Sequence, residues 1–531
     1  LLENKILPHN RLNDMGIMKK MLNGYRQNRQ LFFVSVCNTI KTPKTIQHFR
    51  FEFFRRQQIM QKPATMQISG KLHSAKKHLV KLFSTILAFL LIFQTFAYGA
   101  QTKGRTIPLI RDAEIEALVA DYAKPILQAA GLRPNINVIL VNDQSFNAFV
   151  DGQRIFINIG TLLQAETPNE VIGVIAHETG HLAGGHQYRL REQIKHAQTL
   201  AVIGMLVGLG AGIAGGAGGS GAVGAAGGGL AAGSSEIALR TLMSYQRSEE
   251  AAADRSAITY LNKTGQSAKG MLKTFERFSS ALALSGTRID PYRISHPLPR
   301  ERIAALQTLA KQSVFFNKKD SPELQQRHDM ARAKIAGNTG NFTTMRRMFA
   351  SNPRGLAARY GEAILALENA TPQAALTKVR TLVNEQPANP YFQELLGDAF
   401  IRANNPSAAA QAYKKAVTLD ARKSSQLRIS YGRALLLTNN RDNIKQAIYE
   451  IKSGIKSEPA YAPAYSFLAM AYGRQGQIGL ADLAMADMHY YNGDYAQARI
   501  FAVRAQKKLQ KNSADWLRAQ DILSTTDKAS R

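Results

Sequence analysis

The sequence predicts a mainly α-helical chain: an α+β domain with a small sheet, followed by an α-solenoid. Three observations predict it. Two β-branched runs, Asn137–Val141 and residues 154–159, stand among segments with helical apolar spacing. From about Pro353 the composition turns to alanine-rich helical segments with recurring tyrosine. The chain's 531 residues, 45% hydrophobic, are enough for at least one sizeable core, which excludes wholesale disorder, and the single Cys37 excludes a disulfide scaffold.

The 68 Lys+Arg against 38 Asp+Glu give a net charge of +30. Residues 1–99 carry 16 basic and 3 acidic side chains, which leaves +17 for the remainder and favours acidic partners or anionic lipid surfaces. No zinc-ribbon cysteines and no RNA-binding aromatic signature accompany that charge, so nucleic acid is not the expected partner.

Lys76-Lys77 and Lys81 precede the uncharged run 82–97, which ends in Ala97-Tyr98-Gly99. A basic flank, a short apolar stretch and a small-x-small site describe a secretory signal peptide over about 76–99, cleaved near Gly99 or Ala100; a retained membrane anchor is the competing reading. About 75 residues stand before it, so translation from an internal start such as Met66 is expected, with 1–99 then an upstream extension plus signal peptide. Such a start removes Cys37 from the exported protein.

A helix is expected over 112–132 from Ile115, Leu118, Val119, Tyr122 and Ile126. The two strand-like runs follow, joined through Asn147-Ala148-Phe149 and Asp151-Gly152. Next, the apolar start Val171 to Ala176 of another helix runs directly into His177-Glu178-Thr179-Gly180-His181. Histidines four apart stand on one helix face, so both imidazoles can reach one ion. Glu178 projects about 100° away, towards a water beside the metal. A carboxylate placed there can take a proton from that water and pass it to a leaving amine, which is the chemistry of peptide hydrolysis.

A catalytic zinc needs a third protein ligand and an open position. In the pattern HExxHxxGxxH, Gly184 is in place but the third histidine's position is Gln187; His186 falls one short and reads as a polar residue past the ligand face. A later helical segment, residues 245–260, offers Glu250 and Asp254 on one face: Glu250 to complete the site, Asp254 to orient a ligand imidazole. On its own, an acidic pair on a helix is equally a solvated surface.

Between these segments, residues 197–235 contain no charge, and 14 of the 30 positions from 204 to 233 are glycine. Gly204, Gly208, Gly212 and Gly216 recur every fourth position, a bare groove suited to close helix packing; a flexible low-complexity loop is the other reading. Either way, an apolar flap over 200–235 lies next in sequence to the metal ligands, a lid or a hairpin dipping into a membrane surface.

These residues resemble the zinc peptidases related to HtpX and the CAAX prenyl protease, in their periplasmic protease-chaperone branch, whose pattern is HExxH followed by ExxxD. His177, Glu178 and His181 match the first motif, Glu250 and Asp254 the second, and Ser295-His296-Pro297 with Arg302 is similar to the family's histidine-proline motif. Over roughly residues 107–309, the resemblance implies a zincin-like metallopeptidase domain holding one Zn2+ through His177, His181 and Glu250. Glu178 and Asp254 would then be the catalytic pair, Glu178 as base and then acid, Asp254 through the imidazole it orients. For His296 it implies a latch or fourth ligand; read alone, that residue is also a transition-state stabiliser or a structural histidine beside a proline turn. It further implies that Asn147, Ala148 and Phe149 form an edge strand that receives substrate by β-augmentation.

In the C-terminal part, Gly397, Phe400, Ala409, Tyr413 and Ala416 have the spacing of a tetratricopeptide repeat. Ala469, Tyr472 and Ala481 give a second copy, and Gly493-Asp494-Tyr495 with Ala498 and Ala505 part of a third; weaker copies lie near Tyr360 and Tyr431. Stacked repeats form a concave surface suited to protein partners. The expected division is therefore residues 100–312 for the metallopeptidase domain and 325–531 for the repeats.

The whole reads as an exported zinc endopeptidase whose repeats recruit protein substrates. The resemblance implies a periplasmic location, unfolded or stalled outer-membrane proteins as substrates, and the outer-membrane assembly machinery as partner. The alternative is a chaperone or assembly scaffold whose zinc site stays mostly closed by His296. A further rival is a membrane protease anchored by an uncleaved 82–97.

Overall fold

The computed structural model describes residues 108–133, 136–217, 221–284, 296, 300–340 and 342–529. The upstream extension, Cys37, Met66 and the signal segment 82–97 lie outside the described residues.

Strand β1 (Leu109–Ile110) leads into helix α1 (Ala113–Ala129), where the Asp112 side chain caps the first turn by accepting from the Ile115 backbone N–H at 2.9 Å. Then come β2 (Asn137–Val141), β3 (Ala148–Asp151) and β4 (Arg154–Asn158). The sheet order is β1-β2-β4-β3, with β2 parallel to β4 and β3 antiparallel to it. The β3–β4 hairpin turns at Gly152, whose φ of +61° lies in the left-handed region that glycine adopts without steric cost. Ile155, Phe156 and Ile157 of central β4 are all buried, which explains their unbroken apolar run. The strand ends one residue earlier than expected, because Ile159 opens helix α2 (Ile159–Gln164).

Helix α3 (Pro168–Gly184) carries the HETGH segment; α4 (His186–Ala217) and α5 (Gly221–Lys263) follow, then α6 (Lys269–Leu284) and α7 (Arg300–Lys311). The glycine-rich stretch is helical on both sides of residues 218–220, and α4 and α5 pack along one another as a hairpin. This is the close-packing alternative rather than the loop. Glycine weakens a lone helix, but one helix packed along another recovers the loss through backbone contact. Among the described residues, no helix is long and apolar enough to cross a membrane.

After α8 (Pro322–Asn338) and the short α9 (Phe342–Met348), ten helices stack in pairs: α10 (Leu356–Asn369) with α11 (Pro372–Glu385), α12 (Pro390–Arg402) with α13 (Pro406–Leu419), α14 (Ser425–Leu437) with α15 (Asp442–Ser457), α16 (Ala462–Arg474) with α17 (Ile478–Tyr491), and α18 (Tyr495–Gln506) with α19 (Ala514–Ala529). Many start the same way: Ser321, Thr371, Asn389 and Asn405 each cap a helix with the side-chain oxygen, and a proline occupies the first turn. Turns inside the last four pairs each contain a left-handed residue: Asn404, Asn439, Gly476 and Asn512. The expected small/aromatic positions fall on facing helices. A Cβ at Gly397 would come within 2.7 Å of the Tyr413 ring, so that glycine lets the two helices of its pair touch.

Residues Thr106–Arg531 form one compact unit. The first helices of two pairs, α10 and α14, meet the start of α1: Tyr360 Oη donates to Glu114 at 2.7 Å, and Gln426 donates to Glu116 at 3.0 Å. Lys334 of α8 reaches Asp112 at 2.9 Å and Glu114 and Glu394 at 3.4 Å. Part of the repeat surface expected to face partners is thus filled from within the chain.

Candidate metal centre

Helix α3 is buried almost throughout, from Pro168 to Gly180. That is why its sequence is apolar up to His177: it threads the core, and the two imidazoles emerge where it leaves. A Cβ on Gly180 would lie 2.8 Å from the Ala253 carbonyl oxygen, and one on Gly173 would lie 2.9 Å from Met271 Cβ. The bare backbone at Gly180 lets α5 cross directly over the motif. This crossing carries Glu250 and Asp254 to the histidines from about seventy residues away.

His177 Nε2 and His181 Nε2 are 3.0 Å apart, and Glu250 sits 3.3 Å from each. His296 brings Nδ1 to 3.3 Å from His177 Nε2 and 3.0 Å from Glu250, while its Nε2 is 3.4 Å from Glu178. One donor atom from each of His177, His181, Glu250 and His296 fits within a mutual separation of 4.8 Å. Three nitrogens and a carboxylate converging in a buried space are a donor set for a divalent cation of the zinc kind.

Asp254 is behind His177 rather than among the donors, with Oδ1 3.0 Å from His177 Nδ1. Arg302 clamps it with two bonds of 2.6 and 2.9 Å and reaches Glu250 at 2.7 Å with its remaining arm. The guanidinium also stands over the Phe275 ring, 5.1 Å from its centroid. Arg302 thereby balances two buried carboxylates.

Electrostatics separate the two histidines. Burial lowers the pKa of His177, but Asp254 and Glu250 more than reverse this and raise it to about 9. Burial dominates at His181 and takes it down to about 3, so its ring is neutral. For Glu250, burial pushes upward, yet His296, His177 and His181 hold it well below the usual carboxylate range. Burial raises Glu178, opposed by His296 and His177, which is the direction a proton-accepting carboxylate needs.

His186 does not join the donor set; it lies against the outer edge of His181, with ring centroids 4.9 Å apart. Ala148 and Phe149 lie in β3, one of the sheet's two edge strands, and Asn147 immediately precedes it, its carbonyl accepting from Asn158 N–H at 3.0 Å. Sequence reasoning missed Gly180 and the clamping role of Arg302. Gly180 lies inside the motif but at a position the motif leaves unspecified, and nothing in the sequence pairs Arg302 with Asp254.

A helix bearing two histidines one turn apart, closed by a carboxylate from a crossing helix, defines the metallopeptidase class of domain. Residues 109–310 match Peptidase family M48, so this part of the chain is similar to that family's peptidase domain. The chain is similar to the beta-barrel assembly-enhancing protease of Escherichia coli K12, 23% identical over 344 residues that cover 63% of this chain and 67% of that protein. The Yersinia pestis protein of the same name is 24% identical over 326 residues, covering 58% and 63%. Matches span 60% to 67% of the length of such curated relatives. Among solved structures, YrrB, described as a TPR protein with an unusual peptide-binding site, aligns with a TM-score of 0.27 and 14% identity over 37% of this chain and 97% of that one.

Proposed function

We propose that this chain is an exported zinc-dependent endopeptidase acting on envelope proteins, in which the repeats bring protein substrates to the metal centre. The observation that carries this is the meeting of His177, His181 and Glu250 from two separate helices around one small space. Those three residues would hold the ion, which supplies a Lewis acid that polarises a peptide carbonyl and acidifies water. Glu178, buried beside that space, takes a proton and returns it to the leaving amine. Asp254, fixed by Arg302, orients the His177 ring. β3, an edge strand in contact with α3, would offer backbone groups to an extended substrate once the Gln187 side chain leaves the Val150 carbonyl, so selection would depend more on backbone than on side chains.

His296 stands where a fourth donor would, between Glu250 and Glu178. We read it as a latch that keeps the centre latent until it withdraws. Similarity to beta-barrel assembly-enhancing proteases supports a periplasmic place, with stalled outer-membrane proteins as clients and their assembly machinery as partner. A scaffolding role that needs no hydrolysis is compatible with the same latch.

Two variants separate these readings. Glu178→Gln is expected to retain zinc and abolish casein cleavage, and Glu250→Gln to lose zinc and cleavage together. Full cleavage by either variant would defeat the proposal. Client assembly that survives in Glu178→Gln while casein cleavage is lost would show that scaffolding is independent of hydrolysis.

A further inference from the structure

We propose that His186, backed by Glu249 and Arg189, is a positioning residue for His181, holding that imidazole in the tautomer whose Nε2 lone pair faces the ion. The inference rests on the metal-centre reading above.

The chain of contacts fixes the direction of each bond. His186 Nε2 lies 2.8 Å from Glu249 Oε2. A carboxylate only accepts, so the His186 proton sits on Nε2, and the neutral ring leaves a lone pair on Nδ1. That Nδ1 lies 2.9 Å from His181 Nδ1, which must therefore be the N–H. The His181 lone pair is then on Nε2, the atom that faces His177 Nε2 and Glu250. With the opposite tautomer, a proton would point into the donor set and exclude the ion. Glu249 is itself held by Arg189, whose Nη2 donates to the same Oε2 at 2.8 Å while its Nε donates to Tyr245 at 3.2 Å.

The backbone is shaped for this contact. Helix α3 stops at Gly184, and Gly185 in the left-handed region, φ +65°, turns the chain so that the His186 ring folds back over the end of α3. A Cβ at position 184 would stand 2.2 Å from His186 Nε2, so only glycine there leaves room for the ring. The arrangement parallels His177, Asp254 and Arg302, with one difference: a neutral ring stands between the ligand and its carboxylate. Both ligand imidazoles are thus oriented by a carboxylate that an arginine neutralises.

The test is Zn2+ affinity of the full chain, measured by competition with a chelator, together with the visible absorption of the Co2+-loaded protein. His186→Ala should lose about 10- to 100-fold in Zn2+ affinity and shift the cobalt bands. His186→Asn, whose Oδ1 can stand near the place of Nδ1, should recover most of both. Glu249→Ala, at the outer end of the chain, should lose about 10-fold and keeps the test open if the His186 variants fold poorly. Wild-type affinity and an unchanged cobalt spectrum in both alanine variants would overturn the proposal, as would an Asn variant no better than Ala. A wild-type chain that takes up no Zn2+ would instead overturn the metal centre itself, and this inference with it.

Discussion

Three carboxylates and one arginine surround the histidines at the candidate centre, and their balance decides what the site attracts. Glu250 and Asp254 draw a proton onto His177, whose pKa rises to about 9, and a divalent cation competes for the same lone pair with twice the charge. His296 completes the ring of donors, so removing it should open a coordination place without weakening the other three. His296→Ala is expected to raise casein cleavage several-fold at unchanged zinc content. Cleavage equal to wild type would rule out the latch. At this scale His177, Glu178 and His181 were readable in the sequence, because a spacing of four on a helix fixes which side chains share a face. His186 was not, because its role depends on a left-handed glycine that turns it back against the helix direction.

Helix α3 and helix α5 meet through an absent side chain. Gly180 faces backbone atoms of Ala253 that cannot swing aside, so any Cβ there must separate the helices. Gly180→Val should cost about 1–3 kcal/mol in urea unfolding and weaken Zn2+ binding as Glu250 moves out of reach. Gly473→Ala, in α16 with nothing within 4 Å of the added Cβ, is the control and should be neutral or gain about 1 kcal/mol. A Gly180 variant indistinguishable from that control would show that the crossing tolerates more space than its geometry implies. Helices themselves were readable from apolar spacing and the repeats from their small and aromatic positions; α11, α12 and α13 also carry a capping residue and a proline at their starts. The edge strand was harder: Ala148–Asp151 is short, and its place in the sheet depends on pairing with β4, which periodicity does not encode.

Across the whole molecule, the repeats are tied to the part that carries the candidate metal centre through buried polar contacts. His328 of α8 is fully buried, with Nδ1 3.0 Å from Tyr122 Oη and Nε2 3.0 Å from the Ala165 carbonyl. The tautomer with its proton on Nε2 donates to that carbonyl and accepts from the tyrosine, so the neutral ring is satisfied. Burial, helped by the charge of Arg332, lowers its pKa from 6.5 to about 4 against a smaller rise from the Ala165 carbonyl. Below pH 6.5 the unfolded chain therefore takes up a proton that the folded chain refuses. The stabilisation is complete above pH 6.5 and declines towards pH 4, by an amount on the order of 3 kcal/mol. His328→Gln, which keeps a donor for Ala165 but does not titrate, should unfold in urea with a shallower loss of stability across that range. Identical pH slopes for the two proteins would show that His328 titrates freely in the fold.

The sequence by itself determined the chemistry on offer: two histidines and a glutamate on one helix, an acidic pair on a later one, and a repeating helical pattern after both. These are local properties, written in spacings of three, four and about thirty-four residues. Tertiary structure alone decided that the acidic pair meets the histidines, that Arg302 and Glu249 stand behind them, and that α1 occupies part of the repeat surface. Each of these joins residues tens to hundreds of positions apart. Such contacts follow from how whole helices pack, and the shape of a packed interface is a property of two surfaces together, which neither segment carries in its own pattern.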